Sequence, residues 1–408
     1  MTATATRRSV AAAAVAGLVL AFAAPAQAAA GGIAVRAPAA ILVQPATGDV
    51  VFGRNASQQR SIASTTKLMT ALLTLERGRL SRTLTAVRYR GLAVESTMNL
   101  SAGERLTTAD LLRGLLLASA NDAAATLAVR IGGTEKRFVA LMNARARQLG
   151  LDDTHYANPV GLDAPGNHSR AEDLVKLTLI LRRNAFFRDV TNLPRATLKS
   201  GARQRTILNR NLLVRNVPVA NGVKTGHTQQ AGYVLVGSAT RRGVTVVSAV
   251  LGDPSEAARD ADSLALLRYG LSRYRRVTTI RHGQVVGSVA LGSRSGRAAV
   301  VASRTVQRVV RRGERVTRRV VGLPARVDGP LPAGTRVGTL ELRWRKRTID
   351  RMPVVTRSAI AAASISQRAG HFFSRTLLVV VLAVLALGSL QLVLLRRRAV
   401  RRRRTGIA

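Results

Sequence analysis

Cysteine, aromatic residues and acids are the residue types that this chain lacks or has in small number. With no cysteine, a disulfide framework and a thiolate metal site are both excluded. Aromatic residues make up 3% of the 408 residues, and 64 lysines and arginines, against 21 acids, are spread along the chain. The net charge of +43 would suggest nucleic acid as a partner, but without clustered basic and aromatic residues we expect none.

The two ends of the chain carry different targeting signals. Residues 1–28 have the pattern of an export signal peptide, with an apolar run over 10–24 and small residues over 26–28. Residues 376–395 form an uncharged run of about 20 residues, long enough as a helix to cross roughly 30 Å of lipid. The arginine-rich tail 396–408 should stay on the cytoplasmic side. The sequence therefore predicts a cell-membrane protein with a single span and an extracytoplasmic body, whose cationic exterior faces anionic lipids and wall polymers.

The body between these signals has strand patterns at its ends and helical patterns in its middle. Short β-prone runs at 40–43 and 49–52 flank one turn, and runs at 233–236 and 245–250 flank another. Apolar residues at helical spacing occur over 111–117, 123–131, 138–149, 172–181 and 263–269. We therefore predict an α+β catalytic domain over 31–272, whose sheet joins the two ends of the segment.

A second domain is predicted after the first. Residues 275–355 contain short β-prone runs with frequent glycine and proline, and Leu340, Leu342 and Trp344 alternate as in a half-buried strand. We expect a small all-β domain there, followed by a linker over 356–373.

The stretch 62–70 has the pattern of a helix start that carries a reactive serine. Ser64 lies at the N-terminal end, Lys67 lies one turn later on the same face, and Gly78 is the expected helix stop. A serine hydroxyl becomes a nucleophile when a base takes its proton, and a lysine is a base only when its amine is neutral. Burial and the positive end of the helix dipole both favour the neutral amine.

Two further motifs follow this one in the chain. They are Ser-Ala-Asn at 119–121, expected on a loop, and Lys-Thr-Gly at 224–226, expected on an edge strand. Each motif alone is weak evidence. Together, in this order and in these contexts, the three are the set found in penicillin-binding proteins and class A β-lactamases.

Acyl transfer gives each residue of the set a role. It needs a nucleophile, a base, a proton path and donors aimed at a developing oxyanion. Ser64 is the expected nucleophile, Lys67 its base, and Ser119 the relay that passes the proton to the leaving amine. Asn121 would hold the substrate amide or Lys67, and Lys224 would attract a substrate carboxylate.

The remaining residues of the third motif would shape the binding strand. Thr225 and His227 flank Gly226, which would let a substrate backbone approach closely. The backbone N–H groups of Ser64 and His227 would form the oxyanion hole.

The chain resembles the D-alanyl-D-alanine carboxypeptidases, which are low-molecular-mass penicillin-binding proteins of the serine type. The resemblance covers roughly residues 38–272 and extends beyond the three motifs. The further matching segments are 47–48, 63–72, 120–123, 158–163, 209–211, 222–228, 231–233 and 251–252.

The resemblance implies both fold and activity. The implied fold is serine β-lactamase/transpeptidase-like, an antiparallel sheet with a helical part. The implied activity is removal of the terminal D-alanine from peptidoglycan stem peptides through an acyl-enzyme that β-lactams trap. It also implies that Arg210 helps bind the terminal carboxylate, with no metal and no cofactor. Gln44 and Asn221 depart from the acidic residues that the family often has there, and neither is a catalytic position.

Other functions remain as alternatives. A D,D-endopeptidase of the same family would cut cross-links, and the sequence barely separates it from a carboxypeptidase. A class A β-lactamase would need a deacylating glutamate, and we find none in a matching context between Asn121 and Lys224, since Glu172 falls at a helix start. Three intact motifs disfavour a non-enzymatic wall-binding protein. The lack of a Gly-x-Ser-x-Gly motif disfavours a Ser-His-Asp hydrolase.

Overall fold

The computed structural model describes residues 33–292 and 295–404, so the expected signal peptide at 1–28 lies outside the described residues. In the last helix, side chains are described for 377–400. The chain divides into two compact units. One comprises the residues up to Arg276 together with Val309–Arg312, and the other comprises Val277–Arg308 and the residues from Gly313 onward.

The first unit is organised around one antiparallel sheet. Its strands are β1 (Ala39–Gln44), β2 (Asp49–Arg54), β3 (Thr83–Thr85), β4 (Arg105–Thr107), β5 (Arg195–Leu198), β6 (Arg205–Leu208), β7 (Ala220–Thr228), β8 (Gly232–Arg241) and β9 (Val244–Asp253). Five of them form the main sheet in the order β2-β1-β9-β8-β7, and β3-β4 and β5-β6 are separate pairs. Because β1 pairs with β9, with Ala39 opposite Leu251, the two ends of the unit meet inside the sheet as predicted.

Helices cover both faces of this sheet. They are α1 (Lys67–Arg77), α2 (Thr108–Arg113), α3 (Asn121–Gly132), α4 (Glu135–Gln148), α5 (Ala171–Leu181), α6 (Ala185–Thr191), α7 (Leu212–Asn216) and α8 (Glu256–Arg273). Alternate residues of β1 point to opposite faces. Ile41 and Val43 join the larger core with α1 and α3, whereas Leu42 joins a second core with Leu266 and Leu267 of α8. Because both faces of β1 are covered, the strand is buried along its whole length, and residues 39–43 are all apolar.

The predicted helices occur, although several of them differ at their ends. The run predicted over 111–117 is α2 followed by a π-helical turn, Gly114–Ala118. The run predicted over 263–269 is only part of α8. That helix starts earlier because the side chain of Ser255 accepts a hydrogen bond from the N–H of Ala258 and caps its N-terminus.

The second unit is β-rich, which confirms the predicted character of this region. The strands that follow in the chain are β10 (Tyr274–Ile280), β11 (Val285–Leu291), β12 (Arg297–Ala302), β13 (Val306–Arg311), β14 (Thr317–Val321), β15 (Arg326–Val327), β16 (Arg336–Trp344) and β17 (Arg347–Thr356). Residues 274–276 of β10 and 309–311 of β13 fall in the first unit. Six form a sheet in the order β14-β16-β17-β12-β11-β15, and β10 pairs with β13. Leu340 and Leu342 of β16 lie in the core of this unit, as their alternation predicts.

A single long helix, α9 (Ile365–Arg404), ends the described chain. It begins inside the segment 356–373 that we expected to be a linker. Residues 365–373 contain no proline, so nothing in them stops a helix from extending back toward the sheet. Its stretch Leu377–Val400 is long and apolar enough to cross a membrane, and it contains most of the span expected at 376–395.

Candidate active site

Ser64 lies in a 3₁₀ turn, Ala63–Thr66, that leads directly into α1. The carbonyl of Ile62 accepts hydrogen bonds from the N–H (3.1 Å) and the hydroxyl (2.6 Å) of Thr65. Ala63 has a φ of +47°, a left-handed conformation that a residue with a side chain adopts only under constraint. The turn buries Ala63 and Thr65 and leaves Ser64 half-buried and accessible.

The side chain of Lys67 is completely buried beneath this serine. Its Nζ lies 2.9 Å from Ser64 Oγ and also donates to the carbonyl of Val160. Burial lowers the pKa of Lys67 to about 7, the nearby charges of Glu95 and Asp122 oppose that effect, and Arg210 adds to it. A large share of the amine is therefore neutral near pH 7, as a general base for Ser64 requires.

The turn over 158–163 holds the acceptor for Lys67. The side-chain oxygen of Asn158 accepts hydrogen bonds from the N–H groups of Val160, Gly161 and Leu162 at 3.2, 2.6 and 3.2 Å. Gly161 has a φ of +84°, and a Cβ there would lie 2.1 Å from the carbonyl oxygen of Ala63. The segment is a structural turn, as expected, and it fixes the position of the Val160 carbonyl.

The second motif lies between the π-helical turn and α3. Ser119 adopts a left-handed conformation with a φ of +61°, and Asn121 is the first residue of α3. The amide nitrogen of the Asn121 side chain donates to Glu95 Oε2 at 2.7 Å, and its backbone N–H donates to the carbonyl of Ser96 at 2.7 Å. Two contacts from one loop therefore fix the orientation of Asn121.

The third motif lies on β7, which is the edge strand that we predicted. Lys224 is 1% exposed, and its Nζ donates to the carbonyl of Thr225 at 2.9 Å. Burial first, and then the charges of Lys67, Arg210 and Arg259, lower the pKa of Lys224 well below its usual value. The amine of Lys224 therefore lies beneath the strand, next to the cleft, and its expected attraction for a substrate carboxylate stays a prediction.

Gly226 is in contact with the serine turn. A Cβ at this position would lie 2.9 Å from the backbone nitrogen of Ser64 and 3.0 Å from the Cβ of Ala63. The strand thus needs glycine here because of its own packing, which is a reason additional to the substrate approach that we predicted. The next residue, His227, is exposed, and its ring stacks on Tyr233 with 4.0 Å between the ring centroids.

One cleft of about 1400 Å³ brings these elements together. The predicted site residues that line it are Ser64, Ser119, Asn121, Arg210, Thr225, Gly226 and His227. Lys67 and Lys224 are buried next to the lining residues Ser64 and Thr225. All nine predicted site residues are therefore gathered at one place. Within 33–292 and 295–404, no group of three or more histidines and acids is placed to hold a metal ion.

Sequence reasoning missed several charged residues of this cleft, among them Glu95 and Arg259. Glu95 lies on the loop before α2 and lines the cleft. Burial alone would raise the pKa of Glu95, but hydrogen bonds from Tyr89, Leu92 and Asn121 and the charge of Lys67 hold it below its usual value. Arg259 of α8 also lines the cleft, and its guanidinium contacts Glu256 and lies 6.0 Å from the Tyr233 ring. Neither residue belongs to a short motif. For Glu95 the one available signal was that acids are scarce in this chain, and for Arg259 there was none.

Comparison with known proteins gives a family match and full-length relatives. The model of the family described as D-alanyl-D-alanine carboxypeptidase matches residues 23–255. The chain is 32% identical over 356 residues to the D-alanyl-D-alanine carboxypeptidase DacA of Escherichia coli, across 82% of this chain and 84% of that protein. It is 27% identical over 342 residues to DacF of Bacillus subtilis, across 81% and 87%. The solved structure of penicillin binding protein 5 from Haemophilus influenzae superposes with a TM-score of 0.59 and 26% identity, covering 81% of this chain and 99% of that chain.

The contact between Gly226 and the serine turn yields a prediction. In Gly226→Ala, the new methyl group displaces the Ser64 turn, so labelling of Ser64 by a fluorescent penicillin should slow by about 10- to 100-fold. Stopped labelling time courses at a fixed penicillin concentration measure the rate. Gly53→Ala is the matched strand control, because its Cβ would meet only a Val50 methyl at 4.0 Å, and it should label at the wild-type rate. Equal rates for both variants would contradict the prediction.

Proposed function

The chain belongs to the D-alanyl-D-alanine carboxypeptidase family of serine hydrolases, and from this premise we propose that Ser64 removes the terminal D-alanine from peptidoglycan stem peptides. One observation carries the assignment of the nucleophile. A completely buried lysine, Lys67, has its amine 2.9 Å from the hydroxyl of a serine that faces a cleft. The relatives named above are carboxypeptidases, so the endopeptidase and β-lactamase alternatives are not favoured.

Acylation begins with transfer of the Ser64 hydroxyl proton to the neutral amine of Lys67. Oγ then attacks the carbonyl carbon of the penultimate D-alanine, and the carbonyl oxygen becomes an oxyanion. The backbone N–H groups of Ser64 and His227 are the donors proposed for this oxyanion. The proton moves from Lys67 through Ser119 to the amine of the terminal D-alanine as the C–N bond to that residue breaks. The terminal D-alanine departs, and the rest of the peptide stays on Ser64 as an ester. Water then hydrolyses the ester and restores the free hydroxyl.

Positive charge at one end of the cleft favours a substrate that ends in a carboxylate. Arg210 and Arg259 line the cleft, and Lys224 lies beneath Thr225 on β7. We assign Arg210, Thr225 and Lys224 to recognition of the terminal carboxylate, with Thr225 as its hydrogen-bond donor. Asn121 and the β7 backbone at Gly226 hold the peptide along the strand. A β-lactam would enter the same way and acylate Ser64.

The nucleophile assignment is tested with Ser64→Ala. The purified protein should release D-alanine from a peptide that ends in D-Ala-D-Ala and should bind penicillin covalently. Without the hydroxyl, both should fall, the rate by about 10⁴-fold or more. Ser61→Ala, a serine three residues away, is the control and should retain both activities. Release of D-alanine is measured beside cleavage of a cross-linked dimer, and faster cleavage of the dimer would overturn the carboxypeptidase assignment in favour of the endopeptidase.

The base assignment predicts a pH profile. Lys67 must be neutral to accept a proton, so the penicillin acylation rate should rise with pH through about 7 and then level off. Lys67→Arg keeps the charge but cannot deprotonate, and it should lose about 10²- to 10⁴-fold across the whole range. Lys136→Arg, at an exposed position of α4, should follow the wild-type profile. A wild-type rate that does not change between pH 5 and 8 would remove Lys67 from this role.

We also propose that α9 anchors the enzyme in the cell membrane, with the catalytic unit outside. The apolar side chains of Leu377–Val400 are exposed, and the arginines at 396–398 and 401–404 are typical of a cytoplasmic flank. Deletion of residues 377–404 should move the protein from the membrane pellet to the soluble fraction while penicillin labelling is kept. Release of the full-length protein from membranes by alkaline carbonate would contradict a spanning helix.

A further inference from the structure

Glu95 is an acid with three defined contacts in a cleft that otherwise carries several cations. Its Oε2 accepts hydrogen bonds from the hydroxyl of Tyr89 and from the side-chain amide of Asn121, the latter at 2.7 Å. Its Oε1 accepts the N–H of Leu92 at 2.9 Å. Each oxygen of the carboxylate is therefore held, and one of the bonds goes to a residue of the acyl-transfer motif.

The loop around Glu95 has anchors in addition to this carboxylate. The buried carboxylate of Asp122 accepts hydrogen bonds from two backbone N–H groups of the loop. The nitrogen of Met98 lies 3.1 Å from Oδ1 and 3.0 Å from Oδ2, and the nitrogen of Leu100 lies 3.0 Å from Oδ2. Farther along the chain, Glu104 forms a paired ion contact with Arg205 at 2.6 and 2.8 Å. These contacts attach the loop to α3 and β6. Glu95 is therefore one of several side chains that hold this loop, and its own bonds within the loop go to Tyr89 and Leu92.

Besides its hydrogen bond to Asn121, Glu95 acts on the protonation state of Lys67 through its charge. Positive charge comes from Arg210, and negative charge comes from Glu95 and Asp122. Among these groups, Glu95 exerts the largest effect, and it favours the protonated amine. The carboxyl of Glu95 is itself faced by Tyr89, Asn121 and Lys67. The protonation state of Lys67 is thus set partly by a residue outside all three motifs.

We propose that Glu95 is a positioning residue of the acyl-transfer site, which fixes the Asn121 amide and supplies the negative charge that keeps a proton available on Lys67. The proposal rests on the function proposed above. It assigns two separable effects to one side chain. The hydrogen bond to Asn121 needs an oxygen at this position, whereas the effect on Lys67 needs the charge.

Two substitutions separate these effects. Glu95→Gln keeps an oxygen for Asn121 and removes the charge, and Glu95→Ala removes both. Glu135→Gln, at an exposed position in the first turn of α4, is the matched control for loss of one negative charge far from the cleft. The measurement is the second-order rate of penicillin acylation between pH 5 and 9, with D-alanine release measured on the same preparations. Thermal unfolding midpoints confirm that each variant is folded.

The two variants should differ in a defined way. Without the charge, the amine loses its proton more readily, so the acid limb of the Glu95→Gln profile should move to lower pH by about 0.5 to 1 unit. Its plateau should stay within about threefold of wild type. Glu95→Ala should shift the limb in the same direction and lose about 10- to 100-fold at the plateau, because Asn121 is no longer held. Glu135→Gln should overlay the wild type.

Three results would overturn the proposal. The first is a Glu95→Gln profile that coincides with the wild type and with Glu135→Gln. The second is an equal loss of plateau rate in the glutamine and alanine variants without movement of the limb, which is the behaviour of a structural residue. The third is a wild-type plateau in Glu95→Ala. Failure of this proposal can be told apart from failure of the proposed function. In the latter case the wild-type protein itself would show no penicillin labelling at Ser64.

Discussion

The contact between a buried amine and a half-exposed hydroxyl is the constraint on which the active site depends. A lysine charge is strongly disfavoured away from water, and this is why the amine of Lys67 gives up its proton near neutral pH. The same burial would be destabilising if the amine had no partner. The carbonyl of Val160 supplies one, and Asn158 holds that carbonyl through three N–H groups of its turn. The turn over 158–163 is therefore part of the catalytic apparatus although none of its side chains takes part in the chemistry.

Close backbone packing around Ser64 explains why glycine occurs on both neighbouring elements. Gly161 on one side and Gly226 on the other approach Ala63 and Ser64 so closely that a Cβ at either position would overlap them. These two contacts hold the serine turn from both sides. Within the turn, Ala63 has a positive φ. A strained turn persists only when its surroundings over-determine it, and here a loop and a strand together do so. Accessibility of the hydroxyl and rigidity of its backbone thus arise from the same packing.

The sequence predicted the motifs and most of the framework, because both depend on short-range patterns. Ser64 and Lys67 are three residues apart, and the strands and helices follow from apolar spacing. What it missed depends on contacts between distant segments. Glu95 and Asn121 form a hydrogen bond although they lie 26 positions apart, and no local sequence pattern around either residue indicates the other. The burial of Lys224 cannot be read from its motif, because it depends on the elements that pack around β7. The early start of α8 does have a local signal in the sequence, since Ser255 is a residue type that caps helices and its side chain accepts the N–H of Ala258.

The pairing of β1 with β9 affects how this enzyme folds. These neighbouring strands lie more than 190 residues apart in the chain, and the segment that carries Ser64 leaves the sheet directly after β2. Bringing such distant segments together is the slow, entropically costly part of folding. The serine turn packs against Gly161 and against Gly226 of β7, and the sheet that holds β7 is complete only when β9 pairs with β1. The surroundings that fix the nucleophile are therefore drawn from almost the whole length of the first unit, so a truncation that removes β9 would take away part of the sheet on which they rest.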